Sequence, residues 1–190
     1  MKMTHAAFLG LLIAGLIILP ASGSAGEFGK VGQVELGGTV GFSSVTTVIN
    51  GTSDSDALST LSLAPYFGYF VTNEFEIGIR PTFIHISLGG SSVTHFTGLV
   101  APAWNFKLQN NAVTPFLEGL IGYGTASADG LSANGISYGG RAGAKFLVGG
   151  NALVVLGVEY TMDTRNQSGA TERTGTNNLL VSAGFTVFVP

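Results

Sequence analysis

Eight charged side chains lie in segments where apolar residues recur at every second position: Glu35, Glu76, Arg80, Lys107, Glu118, Arg141, Lys145 and Glu159. None shares parity with the apolar residues of its own segment, such as Val34, Leu36, Val40 and Phe42 in the first or Leu117, Ile121 and Tyr123 in the fifth. Same-parity residues of an extended chain share a face. All eight charges therefore belong to one side of whatever sheet these segments build. Four carboxylates facing four cations on an enclosed side can neutralise one another, and an enclosed charge without a partner is costly. Such a network either lines a narrow ion path or fills the interior as a plug that sets strand register. The plug is the reading favoured here.

Nucleophilic chemistry has one candidate, His85-Ile86-Ser87. Serine needs a base, and the base needs a carboxylate to orient it. The following segment, Val93–Lys107, holds no Asp or Glu, and Glu118 has the opposite parity to His85 and Ser87. No catalytic residue is assigned. His85 and His95 flank the Gly89-Gly90 pair, five positions either side of Gly90, so a hairpin centred there would set two imidazoles across from each other. A metal site needs three or four ligands and no third is at hand; no metal and no cofactor are expected. The glycines of the later segments lack the strand-to-helix setting of a phosphate loop. With 8 basic against 11 acidic residues and no cysteine, the chain offers no nucleic-acid footprint, thiolate or disulfide.

The elements that carry these residues read as strands. No helical period persists after the first 25 residues, whereas alternation does, in Gln33–Ser44, Leu58–Val71, Phe75–Ser87, Val93–Lys107, Val113–Thr125, Ile136–Leu147, Ala152–Met162 and Asn178–Val189. Most are longer than the roughly 5–6 residues of a globular strand and reach the ~9–11 of a tilted membrane strand. Short turns at Thr72–Glu74, Leu108–Ala112 and Val148–Asn151 alternate with longer polar connections at Val45–Ala57, Ala126–Gly135 and Asp163–Asn177; Leu88–Ser92 is the short exception. Only 10% of residues are charged while 45% are hydrophobic, and mean hydropathy is +0.43. A soluble barrel would put apolar residues inside and cover its outside with charge, and eight strand charges are too few for that. The alternation therefore reads as an all-β, eight-stranded antiparallel up-and-down transmembrane barrel with charges inside. Aromatics fall towards both ends: Phe67, Tyr69, Phe75, Trp104, Phe106 and Phe146 at the turns, and Phe42, Phe83, Phe96, Tyr123, Tyr138 and Tyr160 at the loops. Two such bands suit the two interfaces of a bilayer.

Ahead of the strands, Lys2, the apolar run Ala6–Leu19 and the small residues before Ala25 have the order of a secretory signal peptide. The expected organisation is a cleaved signal over 1–25 and one barrel domain over 26–190.

These features together resemble the small eight-stranded outer-membrane barrels, the OmpX-like and OmpA-transmembrane-domain-like proteins. The resemblance rests on the leader, the Gly/aromatic-rich alternating strands and the closing segment Asn178–Pro190, and covers nearly all of the chain after the leader. Members typically end on a terminal Phe read by the barrel assembly machinery; here Phe188 is followed by Val189 and Pro190. His85-x-Ser87 is also similar to the His-x-Ser of the lipid A 3-O-deacylase barrels, but Leu88-Gly89-Gly90 follows where that family has Asn-Ala-Gly. The resemblance implies residence in the outer membrane of a Gram-negative bacterium, contact with its lipids and lipopolysaccharide, insertion by the assembly machinery, a monomer, and a non-enzymatic role in envelope integrity, surface-loop interaction or slow permeation. A small channel, a lipid A-modifying enzyme and a soluble lipocalin-like barrel are the alternatives.

Overall fold

The structure, a computed structural model, describes residues 27–49, 52–108, 112–128, 131–167 and 173–189; the signal segment expected over 1–25, Gly26, parts of four connections and Pro190 lie outside them. Eight strands follow one another: β1 (Val34–Ile49), β2 (Thr52–Phe70), β3 (Phe75–Leu88), β4 (Ser91–Asn105), β5 (Val113–Ala128), β6 (Leu131–Gly149), β7 (Ala152–Gln167) and β8 (Arg173–Val189). Each pairs antiparallel with the next, and β8 returns to β1 to close the barrel.

The strands overrun the expected boundaries at the loop end. Ile49 pairs with Thr52, Ala128 with Leu131 and Asn166 with Arg173, so most of the connections expected over Val45–Ala57, Ala126–Gly135 and Asp163–Asn177 are two-stranded ribbon. The physical reason is that Ser, Thr, Asn and Asp mark where the chain leaves lipid, not where backbone pairing stops. The β3–β4 connection is a two-residue turn. Leu88 pairs with Ser91, and Gly89 and Gly90 take φ of 54° and 88°. Two successive positive φ values define the primed turn that matches strand twist, and glycine adopts them without steric cost.

Alternation holds around the wall. Leu36, Ile77, Ile79, Val100, Leu117, Ile121, Leu156 and Val158 face outward and are exposed, while the intervening positions of the same strands turn into the lumen. Phe67, Tyr69, Trp104 and Phe106 ring the turn end of this belt, and Phe42, Phe96, Tyr123, Tyr138 and Tyr160 ring the other. From Trp104 to Phe96 is eight strand steps, which at a membrane strand's tilt is a height of roughly 20 Å. An apolar belt of that height around a charged interior is a surface for a bilayer.

Prolines interrupt the ladder where an N–H is missing. The β2–β3 pairing breaks between Leu63–Phe83 and Phe67–Ile79, where Pro65 and Pro81 sit, and β4–β5 breaks between Val100–Ile121 and Ala103–Glu118, beside Pro102. Glycines make room of two kinds. A Cβ on Gly68 would strike the Glu76 carboxylate, one on Gly78 the Tyr66 ring and one on Gly157 the Arg141 side chain. At Gly37, Gly122, Gly139 and Gly143 it would meet the neighbouring strand's backbone instead. Inward glycine thus also lets the wall itself curve tightly, beyond making space for charges.

Two further glycines separate backbone conformation from space. Gly90→Val should destabilise the barrel by ~1–2 kcal/mol through its positive φ, whereas Gly98→Ala, whose new Cβ meets nothing, should be neutral or slightly stabilising. Urea unfolding in phospholipid vesicles reads both.

Candidate functional site: the charged lumen

Seven of the eight sequence-selected charges turn into the lumen and are buried: Glu35, Glu76, Arg80, Glu118, Arg141, Lys145 and Glu159. The alternation that aims them inward is the one that keeps lipid-facing positions apolar. Register then brings them together, since Arg141 lies directly across from Glu118 on one side and Glu159 on the other.

They form two groups. Nearer the turn end, Lys145 Nζ contacts Glu35 Oε2 at 2.5 Å and Glu76 Oε2 at 3.0 Å. Thr186 donates its hydroxyl to Glu35 Oε1 at 2.8 Å, and Asn105 Nδ2 donates to Glu76 Oε2 at 3.2 Å. The ammonium also sits 4.9 Å from the ring centre of Phe28 and 5.6 Å from that of Phe116, within cation–π range. In the second group Arg80 Nη1 bridges Glu159 at 2.9 Å and Glu118 at 3.3 Å. Arg141 reaches Glu118 at 3.5 Å and Ser182 Oγ at 3.3 Å, with its guanidinium over Phe116. Four carboxylates and three cations thus share one low-dielectric interior.

Lys107 is placed elsewhere. β4 ends at Asn105, and Lys107 pairs at the barrel mouth with Glu27 at 3.2 Å. Parity gives a side chain's face but not its depth, and the partner segment has no strand pattern to betray it. That segment, residues 27–33, closes the turn end of the barrel. Phe28 is buried against Phe70, Leu153 and Phe188, with ring centres 5.2 Å from Phe70 and 5.3 Å from Phe188. Gly32 donates to the Phe70 carbonyl, Phe70 to that of Gln33, and Glu74 to that of Gly29. The Gln33 side chain accepts from the Gly29 and Lys30 amides and donates to the Glu27 carbonyl. Hydrogen bonds from Lys107 and then Lys30 hold the Glu27 carboxyl below its ordinary value of 4.5.

Above the apolar plug, a cavity of about 30 Å³ touches Tyr66, Arg80, Arg141 and Lys145 and reaches Gly38, Thr39 and Gly184 in the wall. That is room for one or two waters.

Towards the loop end the inward face carries further polar residues. Ser137 donates to Asp163, Asn178 Nδ2 donates to Asp163 Oδ2 at 2.9 Å, and Arg165 lies 3.8 Å from the same carboxylate. Ending the seventh strand at Met162 hid them, although Glu159, Thr161, Asp163 and Arg165 continue one parity and could have revealed them. The His85–His95 pairing does not form. His85 pairs with Thr94, bonding its hydroxyl through Nδ1 at 3.0 Å, and His95 pairs with Ile84. A two-residue turn shifts the register by one from the symmetric reading, and a shift of one puts the imidazoles on opposite faces. Among the described residues no group of three or more His, Asp or Glu is arranged to hold a metal.

Lys145→Met should cost ~3–5 kcal/mol by leaving Glu35 and Glu76 buried without their cation, and adding Glu35→Gln and Glu76→Gln should recover most of it; urea unfolding measures both. The depressed Glu27 carboxyl stabilises the closing segment above the ordinary carboxylate range, and that contribution fades as pH falls through its lowered value. Amide exchange over residues 28–33, corrected for its intrinsic pH dependence, should therefore be less protected in acid, and Lys107→Ala should reduce the acid effect.

No family model and no curated protein matches the sequence. Solved structures do. The outer membrane protein OprG from Pseudomonas aeruginosa aligns over 84% of this chain and 97% of its own, with 16% identity and a TM-score of 0.51. Neisserial surface protein A aligns over 82% and 94%, with 17% identity and 0.55. The E. coli outer membrane protein W aligns over 83% and 98%, with 15% identity and 0.51. At such identities the likeness is one of fold: the chain is built as the eight-stranded barrels of the outer membrane are built.

Proposed function

We propose that this protein is a non-enzymatic barrel of the bacterial outer membrane, closed through its lumen, that holds polar hairpins at the cell surface. The observation that carries the reading is the filled interior. Two layers of paired charge cross it, and the Phe28–Phe70–Leu153–Phe188 plug lies beneath them. A solute crossing the barrel would have to break ion pairs in a low-dielectric space and then displace packed rings. A lumen of this width has its side chains as its contents.

The hairpins supply the second support. From Tyr160, in the outer aromatic ring, β7 runs seven steps further to Gln167, ~23 Å along the strand. β6 begins seven residues before Tyr138. Short turns at one end and long hairpins at the other match an outer-membrane barrel with its turns in the periplasm. Contact with lipid and lipopolysaccharide, and insertion by the assembly machinery, belong to the same proposal.

In planar lipid bilayers the purified protein is expected to give no single-channel steps; regular steps whose size changes in Glu76→Ala or Arg141→Ala would replace the plug with a channel. Lipid A from cells overproducing the protein is expected to keep its mass spectrum, and a change lost in Ser87→Ala would make it an enzyme.

A further inference from the structure

Closure of the barrel is incomplete along one line. Among the described residues β1 and β8 pair through five positions only, from Val34 with Val189 to Gly38 with Phe185. Beyond them β1 continues to Ile49 and β8 extends back to Arg173, each paired only with its other neighbour. The departure has a local cause. Gly38 has φ of +146°, and β1 leaves β8 from that residue.

Side-chain exposure marks the same line. Leu179 and Val181 are 73% and 77% exposed, more than any other outward apolar residue of the belt. Leu180 has lumen parity, opposite Glu159, yet is 52% exposed. These residues lie level with or below the outer aromatic ring, because Leu179 pairs with Tyr160. The edges are therefore within the outer leaflet, where lipid offers backbone groups nothing to bond.

We propose that this half-open seam is a dimerisation edge, at which β1 of one copy pairs with β8 of a second and β8 of the first with β1 of the second. What covers such an edge must itself be a strand edge, and this chain carries both complementary ones. Thr39 and Gly184 still lie close within one chain; continuing the observed register past them pairs Val40 with Ala183, Gly41 with Ser182 and Phe42 with Val181. The matches keep outward residues opposite outward ones and inward opposite inward. In a common bilayer β1 ascends and β8 descends, so pairing between copies is antiparallel, and a two-fold axis along the membrane normal satisfies both seams at once. The interface is closed, so it stops at two copies. The inference rests on the membrane placement but not on the closed lumen, and it departs from the monomer expected from the sequence.

The absence of cysteine makes the test direct. Phe42→Cys and Val181→Cys are prepared separately, with tags of different size, and mixed in phosphatidylethanolamine–phosphatidylglycerol vesicles before mild oxidation. Opposed strand positions fall within the reach of a disulfide, so the mixed pair should cross-link about tenfold more than Phe42→Cys mixed with Ile121→Cys on the far wall. Folding of every variant is verified by its heat-dependent shift in SDS gels. A misfolded pair is replaced by Val40→Cys and Ala183→Cys, the neighbouring outward match. Cross-linking confined within one chain in the Phe42→Cys/Val181→Cys double variant would overturn the proposal in favour of a seam that zips on itself. No cross-link above the far-wall pair would overturn it as well. Conductance does not enter, so a failure here leaves the closed-lumen reading standing.

Discussion

A peptide group inside a bilayer has no water to bond, and its partner must be another peptide group. Everything else in this barrel follows from that constraint. It requires the strands to pair along both edges, and pairing along both edges requires the sheet to close. Closure separates an outside that meets hydrocarbon from an inside that does not. Period-two alternation then sends Ile77, Ile79 and Val100 to lipid and Glu76, Arg80 and Leu99 to the lumen. The constraint is least satisfied at the upper β1–β8 seam, and that is why the seam, rather than a loop, carries the inference about a partner.

The lumen poses the opposite problem. It is narrow and lined by buried side chains, yet it holds four carboxylates and three cations. They are tolerable there because each cation touches two acceptors: Lys145 the carboxylates of Glu35 and Glu76, Arg80 those of Glu118 and Glu159, Arg141 Glu118 and the Ser182 hydroxyl. These contacts bind β6 to β1 and β3, and β3 to β5 and β7, tying walls that share no backbone bonds. The network can thus hold the shape of a sheet whose ladder is broken by prolines. Glycine is the other half of this packing. Gly68, Gly78 and Gly157 are absent side chains that let Glu76, Tyr66 and Arg141 lie flat against the wall.

Much of this is legible in the sequence. Alternation, strand count, the opposed parity of charge and the two aromatic bands are local properties of the chain, and the fold repeats them. Parity is the strongest of these signals because a strand offers only two faces. Seven of the charges it selects lie buried inside the barrel. It failed on depth for Lys107, on register for His85 and His95, and on strand length for Asp163 and Arg165. Each failure has its own reason: a mouth-closing segment without periodicity, a turn shorter by one residue, and polar ribbons that keep pairing above the membrane.

The sequence by itself determined that the chain forms a transmembrane barrel with charge inside, because both conclusions need only which residues alternate with which. Tertiary structure decided which charges meet, that Phe28 closes the turn end, and that β1 parts from β8 after Gly38. Those facts depend on strand stagger and on contacts between residues more than a hundred positions apart, such as Glu35 with Lys145 or Gly38 with Phe185. A pattern of period two is blind to both, since sliding a strand by two residues preserves every face and changes every partner.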